Sequence, residues 1–280
     1  MRHHSGYDEP AACHWENVVS DIEVAQEDAV LQVRMNRIDK KNALTDAMYS
    51  ALHEAMVRTE ADDSIRALLL HGAGGNFTAG YDLREFLSAP PRGPDSAAFK
   101  FLAALVGMSK PVVAAVAGTA VGIGTTMLLH CDLVYADDSA RFVLPFVGLG
   151  LCPEAGSSYL LPRMVGRACA AEMLLLGEPF DAARATALGL VCRVVPAGSL
   201  LDTAMSAARR LAALPPRSVR ATKLLMRGGI ERGLREVMQE ELTTFAALLD
   251  SPDAKEAFSA FIEKRAPKFG QVENASATRR

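Results

Sequence analysis

Three stretches of this chain hold residues whose types and spacing could do chemistry. The first is Phe77-Thr78-Ala79-Gly80-Tyr81-Asp82-Leu83. Small residues ahead of a glycine let backbone come close to a ligand, and an N–H just past such a turn can point outward as a donor. The second is Gly118-Thr119-Ala120-Val121-Gly122-Ile123-Gly124-Thr125-Thr126, which reads as a strand running through glycines into a helix. Free N–H groups at a helix start favour negative charge, and Gly122 and Gly124 would leave the Ile123 N–H exposed. The third is Leu149-Gly150-Leu151-Cys152-Pro153-Glu154-Ala155-Gly156-Ser157-Ser158, with Glu154 as its lone acid. Its neighbours Val147 to Cys152 are apolar enough to desolvate a carboxylate and raise its pKa toward the range useful for proton transfer. A helix start near Gly156 would oppose that rise. Each stretch has a plainer reading beside this one: a turn into a helix, tight helix–sheet packing, and an acid at a helix N-terminus.

Other chemistries lack their residues. Gly72-Ala73-Gly74-Gly75 follows a strand, but Phe77 stands where a dinucleotide loop has its third glycine, and no G-K-[ST] or G-x-S-x-G occurs. The five cysteines (Cys13, Cys131, Cys152, Cys169, Cys192) are odd in number, widely spaced and without a C-x-x-C pair. They read as reduced thiols in a cytoplasmic protein, with no metal site. A formal net charge of −3 argues against a nucleic-acid partner. No uninterrupted apolar tract reaches a membrane span, and residues 1–15 have no apolar stretch of the signal-peptide kind.

The elements that must carry these stretches alternate. Strands are expected at Ala29 to Met35 (Leu31, Val33 and Met35 on one face), Ile65 to Leu70, Val112 to Ala117 and Leu133 to Ala136. Helices are expected from about Thr45 to Glu60, from the glycine segment to His130, and from Ala168 to Leu176, with a Pro-rich loop at Ser88 to Ser96. From about Leu201 only helical pattern remains, broken at Pro215-Pro216, Gly228-Gly229 and Pro252. The fold class is α/β. It divides into a flexible leader at 1–18, an α/β core at 19–200, a helical assembly region at 201–270 and a tail at 271–280.

In order and spacing, these segments resemble the enoyl-CoA hydratase/isomerase (crotonase) superfamily. Further segments share the resemblance: Asp39-Lys40-Lys41-Asn42-Ala43-Leu44, Lys110-Pro111-Val112-Val113-Ala114-Ala115-Val116, Cys131-Asp132, Leu188-Gly189-Leu190-Val191 and Phe261-Ile262-Glu263-Lys264-Arg265. The resemblance implies a spiral of β-β-α repeats with a C-terminal helical trimerisation region, giving a homotrimer or a hexamer. It implies an acyl-CoA thioester as substrate, coenzyme A being part of that substrate and no separate cofactor being needed.

The resemblance also assigns residues. The backbone N–H groups of Tyr81 and Ile123 would form an oxyanion hole for the thioester carbonyl. Ala79, Gly80, Asp82 and Leu83 would belong to the substrate-binding segment, with the Ala79 carbonyl meeting adenine. Phe261 and Lys264 would reach the acyl-CoA site of a neighbouring subunit, Lys264 toward a phosphate. The hydratases of the family carry two glutamates, at the places of Thr126 and Phe146 here, and neither residue can accept a proton at neutral pH. Glu154 matches instead the sole acid/base of the peroxisomal-type Δ3,Δ2-enoyl-CoA isomerases. The leading expectation is therefore such an isomerase, acting in fatty-acid metabolism. Hydratase-like or other enolate chemistry is a second, and a non-catalytic acyl-CoA-binding module is a third.

Overall fold

Strand β3 (Val30–Met35) grows from the apolar alternation at Leu31, Val33 and Met35, which face one core while Val30 faces another. In this computed structural model Trp15, residues 17–19 and residues 21–270 are described. His3, His4, Cys13, His14 and the tail at 271–280 lie outside them. Strand β1 (Asn17–Val19) takes in two residues that the sequence alone assigns to the leader, and it pairs antiparallel with β2 (Ile22–Glu27). β2 in turn pairs antiparallel with β3. Beyond β3 the sheet is parallel and runs through β4 (Ala67–Gly72), β5 (Val112–Val116), β7 (Leu133–Ala136) and β10 (Arg193–Val194). The remaining strands, β6 (Thr119–Val121), β8 (Arg141–Val143) and β9 (Phe180–Asp181), form a second, three-stranded sheet.

Both faces of the large sheet are covered, which is why β4 and β5 read as unbroken apolar runs. Leu68, Leu70, Val112 and Ala114 point into the main core with helices α1 (Asp46–Ala61) and α3 (Ala97–Gly107). Leu69, Val113 and Ala115 point the other way, against Ala204, Met205 and Ala208 of helix α8 (Leu200–Ala213). A strand is expected from Ile65, but it begins at Ala67. Ile65 N–H is held by the Asp62 carbonyl in the turn after α1, and pairing starts only opposite Val30. The strand expected to reach Ala117 stops at Val116, because Gly118 at φ +55° turns the chain into the second sheet.

The β-β-α spiral is visible in the pairings. β5 enters the large sheet, β6 the small one, and helix α4 (Ile123–Thr126) follows; β7 and β8 repeat the pattern ahead of helix α5 (Ser157–Val165). The preceding turn is abbreviated: after β4, a single bridge from Thr78 to Ala120 stands in for the second strand, and helix α2 (Leu83–Ser88) follows. The helix expected to run to His130 is α4 continued by a 3-10 turn at Met127–His130. The helix expected over Ala168 to Leu176 is α6 (Arg167–Ala171) opening into a wider turn at Glu172–Leu176. Helix α7 (Ala182–Ala187) leads to β10.

Helices α9 (Pro216–Gly228), α10 (Glu231–Leu249) and α11 (Pro252–Ile262) complete the all-helical end. The Lys-Pro and Cys-Asp segments serve to fasten this frame. Lys110 is 1% exposed, and its Nζ donates to the carbonyls of Thr59 and Asp62 at 2.6 and 2.7 Å, tying the end of α1 to β5. Asp132 holds Lys223 of α9 at 2.6 Å. No described helix is long and apolar enough to cross a membrane.

Candidate active site

The loop after β4 is laced to residues 41–44 so that one N–H is left over. Asn42 is fully buried, and its side-chain amide donates to the carbonyls of Ala73 and Asn76 at 2.9 and 2.7 Å. Thr78 Oγ1 donates to the Asn42 carbonyl and accepts from Gly80 N–H. Ala79 N–H goes to Lys41, Leu44 N–H to Gly80, and Asp82 N–H to Leu44. The Tyr81 N–H between them has no acceptor among the described residues.

The second loop is locked against the first. Thr78 N–H donates to Thr119, Val121 N–H to Thr78, and Gly122 N–H to Val143. The N–H groups of Thr125 and Thr126 return to the Gly122 carbonyl, while Ile123 N–H, at the start of α4, finds no described acceptor. Glycines make this approach possible. A Cβ on Gly80, which has φ +87°, would sit 2.6 Å from the Val121 carbonyl oxygen, and one on Gly124 would sit 2.7 Å from Thr78 Cγ2. Buried backbone donors are nearly always paired, so two spare ones on adjoining loops form a place for an oxygen with developing negative charge.

Glu154 stands across from them, on the turn before α5. Its Oε1 accepts from Thr126 Oγ1 at 2.5 Å, and its Oε2 has no described partner. Protein surrounds the side chain while part of its surface stays open to a cavity. Burial pushes its pKa up to about 7; the Thr126 hydrogen bond opposes the rise and the charge of Glu241 adds to it. The N–H groups at the start of α5 do not hydrogen-bond the Glu154 carboxylate: Gly156 and Ser158 donate to the carboxylate of Glu241.

The cavity joining these groups has a volume of about 530 Å³. Tyr81, Ile123 and Glu154 line it together, and aromatic rings of Tyr49, Phe86, Phe146, Phe245 and Phe258 form much of its wall. Phe146 closes part of the wall with an apolar ring.

Residues 25–273 match the model of the family described as enoyl-CoA hydratase/isomerase. The chain belongs to the enoyl-CoA hydratase/isomerase family. It is 38% identical over 255 residues to enoyl-CoA delta isomerase 2 of Rattus norvegicus, across 89% of this chain and 64% of that one. It therefore spans just under two thirds of the rat protein. It is 37% identical over 251 residues to 1,2-epoxyphenylacetyl-CoA isomerase of Escherichia coli, across 87% of this chain and 95% of the relative. Among solved structures, Pseudomonas aeruginosa OdaA superposes with a TM-score of 0.85 at 48% identity, covering 87% of this chain and 99% of that one.

Within this hydratase/isomerase frame, Ala79, Gly80, Tyr81, Leu83, Ile123, Glu154 and Phe261 all reach the cavity. Asp82 does not. Its carboxylate accepts from Arg37 at 2.6 Å and from the N–H groups of Arg84 and Glu85, so it caps α2 and anchors the loop. Lys264 also lies off the cavity wall, in a left-handed turn (φ +53°) after α11. Phe261 lines the cavity of its own chain. The reason is that α11 folds back onto the body: a Cβ on Gly150 would lie 2.6 Å from Ala254 N, and Phe258 packs on Phe86 with ring centroids 5.2 Å apart.

Three site residues escape the sequence reading. Thr126 figures there only as a missing acid, yet it holds the acid that is present. Tyr49 of α1 is 1% exposed and packs on Tyr81 with ring centroids 5.0 Å apart. Glu241 of α10 is 7% exposed. Tyr49 and Glu241 sit on unremarkable helical patterns, and nothing local in the sequence marks them.

Proposed function

We propose that this acyl-CoA enzyme is a Δ3,Δ2-enoyl-CoA isomerase. The observation that carries the proposal is the pairing of one half-fixed carboxylate with two spare backbone donors on a single apolar cavity. The thioester carbonyl accepts from the N–H groups of Tyr81 and Ile123. Glu154 Oε2 removes a proton from C2 of a 3-enoyl chain, and the electrons move through C2 and C1 onto the carbonyl oxygen. The two N–H groups bind that dienolate more strongly than the neutral thioester, which is what accelerates the step. The same carboxyl then returns the proton at C4, the double bond settles between C2 and C3, and Glu154 is again ionised.

A carboxyl with a pKa near 7 suits both halves, since it must take a proton and give it back at similar cost. Thr126 fixes Oε1 and leaves Oε2 to travel between the two carbons. The aromatic wall suits an acyl chain and keeps out water that would compete for the dienolate.

A second reading, hydratase-like addition of water, draws on Glu241, the other carboxylate that lines the cavity. Its two oxygens already accept three hydrogen bonds, which leaves it poorly placed to activate water. Assembly is proposed as well: Leu224, Leu225 and Met226 on α9 are 63, 81 and 75% exposed, a run of apolar surface suited to a second copy of the chain. Side-by-side assays on 3-enoyl and 2-enoyl thioesters test the main reading. Isomerisation should far exceed hydration, and hydration at a matching rate would favour the second reading.

A further inference from the structure

The start of α5 carries a carboxylate that the isomerase chemistry does not use. Glu241 Oε2 accepts from Gly156 N–H at 2.6 Å, while Oε1 accepts from Ser158 N–H at 3.0 Å and from Ser158 Oγ at 2.5 Å. Helix α10 comes this close because residue 156 is glycine. A Cβ there would lie 2.2 Å from Leu234 Cδ1 and 3.3 Å from Met238 Cγ. Glu154 is two residues upstream, and its carbonyl takes the Ser157 N–H and Oγ. Left unspent, the N–H groups of Gly156 and Ser158 would favour the ionised form of any carboxylate near them and weaken it as a base.

We propose that Glu241 is a positioning residue for the proton transfer assigned to Glu154. It occupies the donors at the start of α5 and sets a second negative charge beside Glu154, keeping Glu154 basic enough to take a proton from carbon. The inference rests on the isomerase reading of Glu154. Glu241 serves this role as a carboxylate, each of whose oxygens accepts a backbone N–H, which can only donate. Burial leaves its pKa above the ordinary value, although the Ser158 hydroxyl and the two N–H groups oppose the rise.

Other titratable groups near the pair do not neutralise it. From α1, burial keeps the Tyr49 phenol well above its ordinary pKa. On the turn before α5, burial pushes the Cys152 thiol up to about 11. From the 3-10 turn after α4, His130 meets the Ala155 carbonyl at 2.7 Å, and burial lowers it to about 4, so it too is uncharged at neutral pH.

The test titrates both glutamates by carbon-13 NMR in the wild-type protein and follows kcat/KM against pH in wild type, Glu241→Gln and Glu241→Asp. In wild type, Glu241 should ionise at lower pH than Glu154, and kcat/KM should fall about tenfold per pH unit below about 7. In Glu241→Gln the acidic limb and the Glu154 titration should both move to lower pH, with the plateau kcat down about three- to tenfold and KM little changed. Glu241→Asp, which keeps the charge, should return the limb toward wild type. Glu241 ionising above Glu154 in wild type overturns the proposal whether or not the variants fold, and so does an unmoved limb in folded Glu241→Gln. Full turnover in Glu154→Gln would instead remove the isomerase reading itself, an outcome read separately from the titrations.

Discussion

Thr126 Oγ1 donates to Glu154 Oε1 at 2.5 Å, so a threonine hydroxyl on α4 orients the carboxylate on the turn before α5. Because that hydrogen bond lowers the Glu154 pKa, Thr126→Val, close in shape but without the donor, should move the acidic limb of kcat/KM upward from about 7. This is opposite in sign to the shift expected for Glu241→Gln. Turnover at pH 7 should fall several-fold, in line with a hydrogen bond worth about 1 kcal/mol. A pH–rate profile of the folded variant checks both sign and size.

The same raised pKa makes a stability prediction. A carboxyl whose folded pKa lies above its unfolded one stabilises the fold fully below the unfolded value, and that contribution is lost as pH rises through the folded one. For Glu154 the window runs from its ordinary value of 4.5 to about 7. Glu154→Gln, which cannot ionise, should therefore be more stable than wild type at pH 8 by about 3 kcal/mol, with the gap gone at pH 4. Denaturant titrations at the two pH values would show it, and equal stability at pH 8 would mean that Glu154 is well solvated.

Gly80 tests the contact between the two donor loops. A Cβ there meets the Val121 carbonyl at 2.6 Å in a left-handed backbone. Gly80→Ala should cost about 1–3 kcal/mol and reduce turnover by more than that destabilisation explains, since it separates the Tyr81 and Ile123 donors. Tyr81→Phe should be milder at the carbonyl, as it removes only the phenol contact to Asp46. Melting curves with turnover numbers distinguish the two, and equal effects would place the donors elsewhere.

How much of this was legible in the sequence follows from range. β3, β5 and β7 announce themselves because the large sheet has a buried face to set their pattern. β8 does not, since it is three residues long with one fully buried side chain, Phe142, too little for a period. At the site, Glu154 and the two N–H donors belong to short contiguous segments whose composition is telling. Glu241 acts across a helix–helix packing that only the assembled fold creates. Asp82 is hard to read in the sequence for the converse reason. An acid at the start of a helix looks the same in sequence whether it meets a ligand or caps its own helix, and Arg37, which decides the matter, lies far from it in the chain.

The apolar run on α9 gives an assembly prediction. Leu225→Glu places a charge on a residue 81% exposed in the single chain, so the fold of one chain should not suffer. Light scattering should find a smaller species than wild type, with circular dichroism unchanged. An unaltered oligomer would mean that α9 faces solvent.

The central claim is that one carboxylate carries the proton both ways. The measurement is conversion of 3-enoyl-CoA to 2-enoyl-CoA by Glu154→Gln beside wild type, with acyl-CoA binding followed in parallel by calorimetry. Glutamine keeps the size and the Thr126 contact but cannot accept the proton, so turnover should fall by about 10² to 10⁴-fold while affinity changes little. A glutamine variant that isomerises at the wild-type rate would contradict the account.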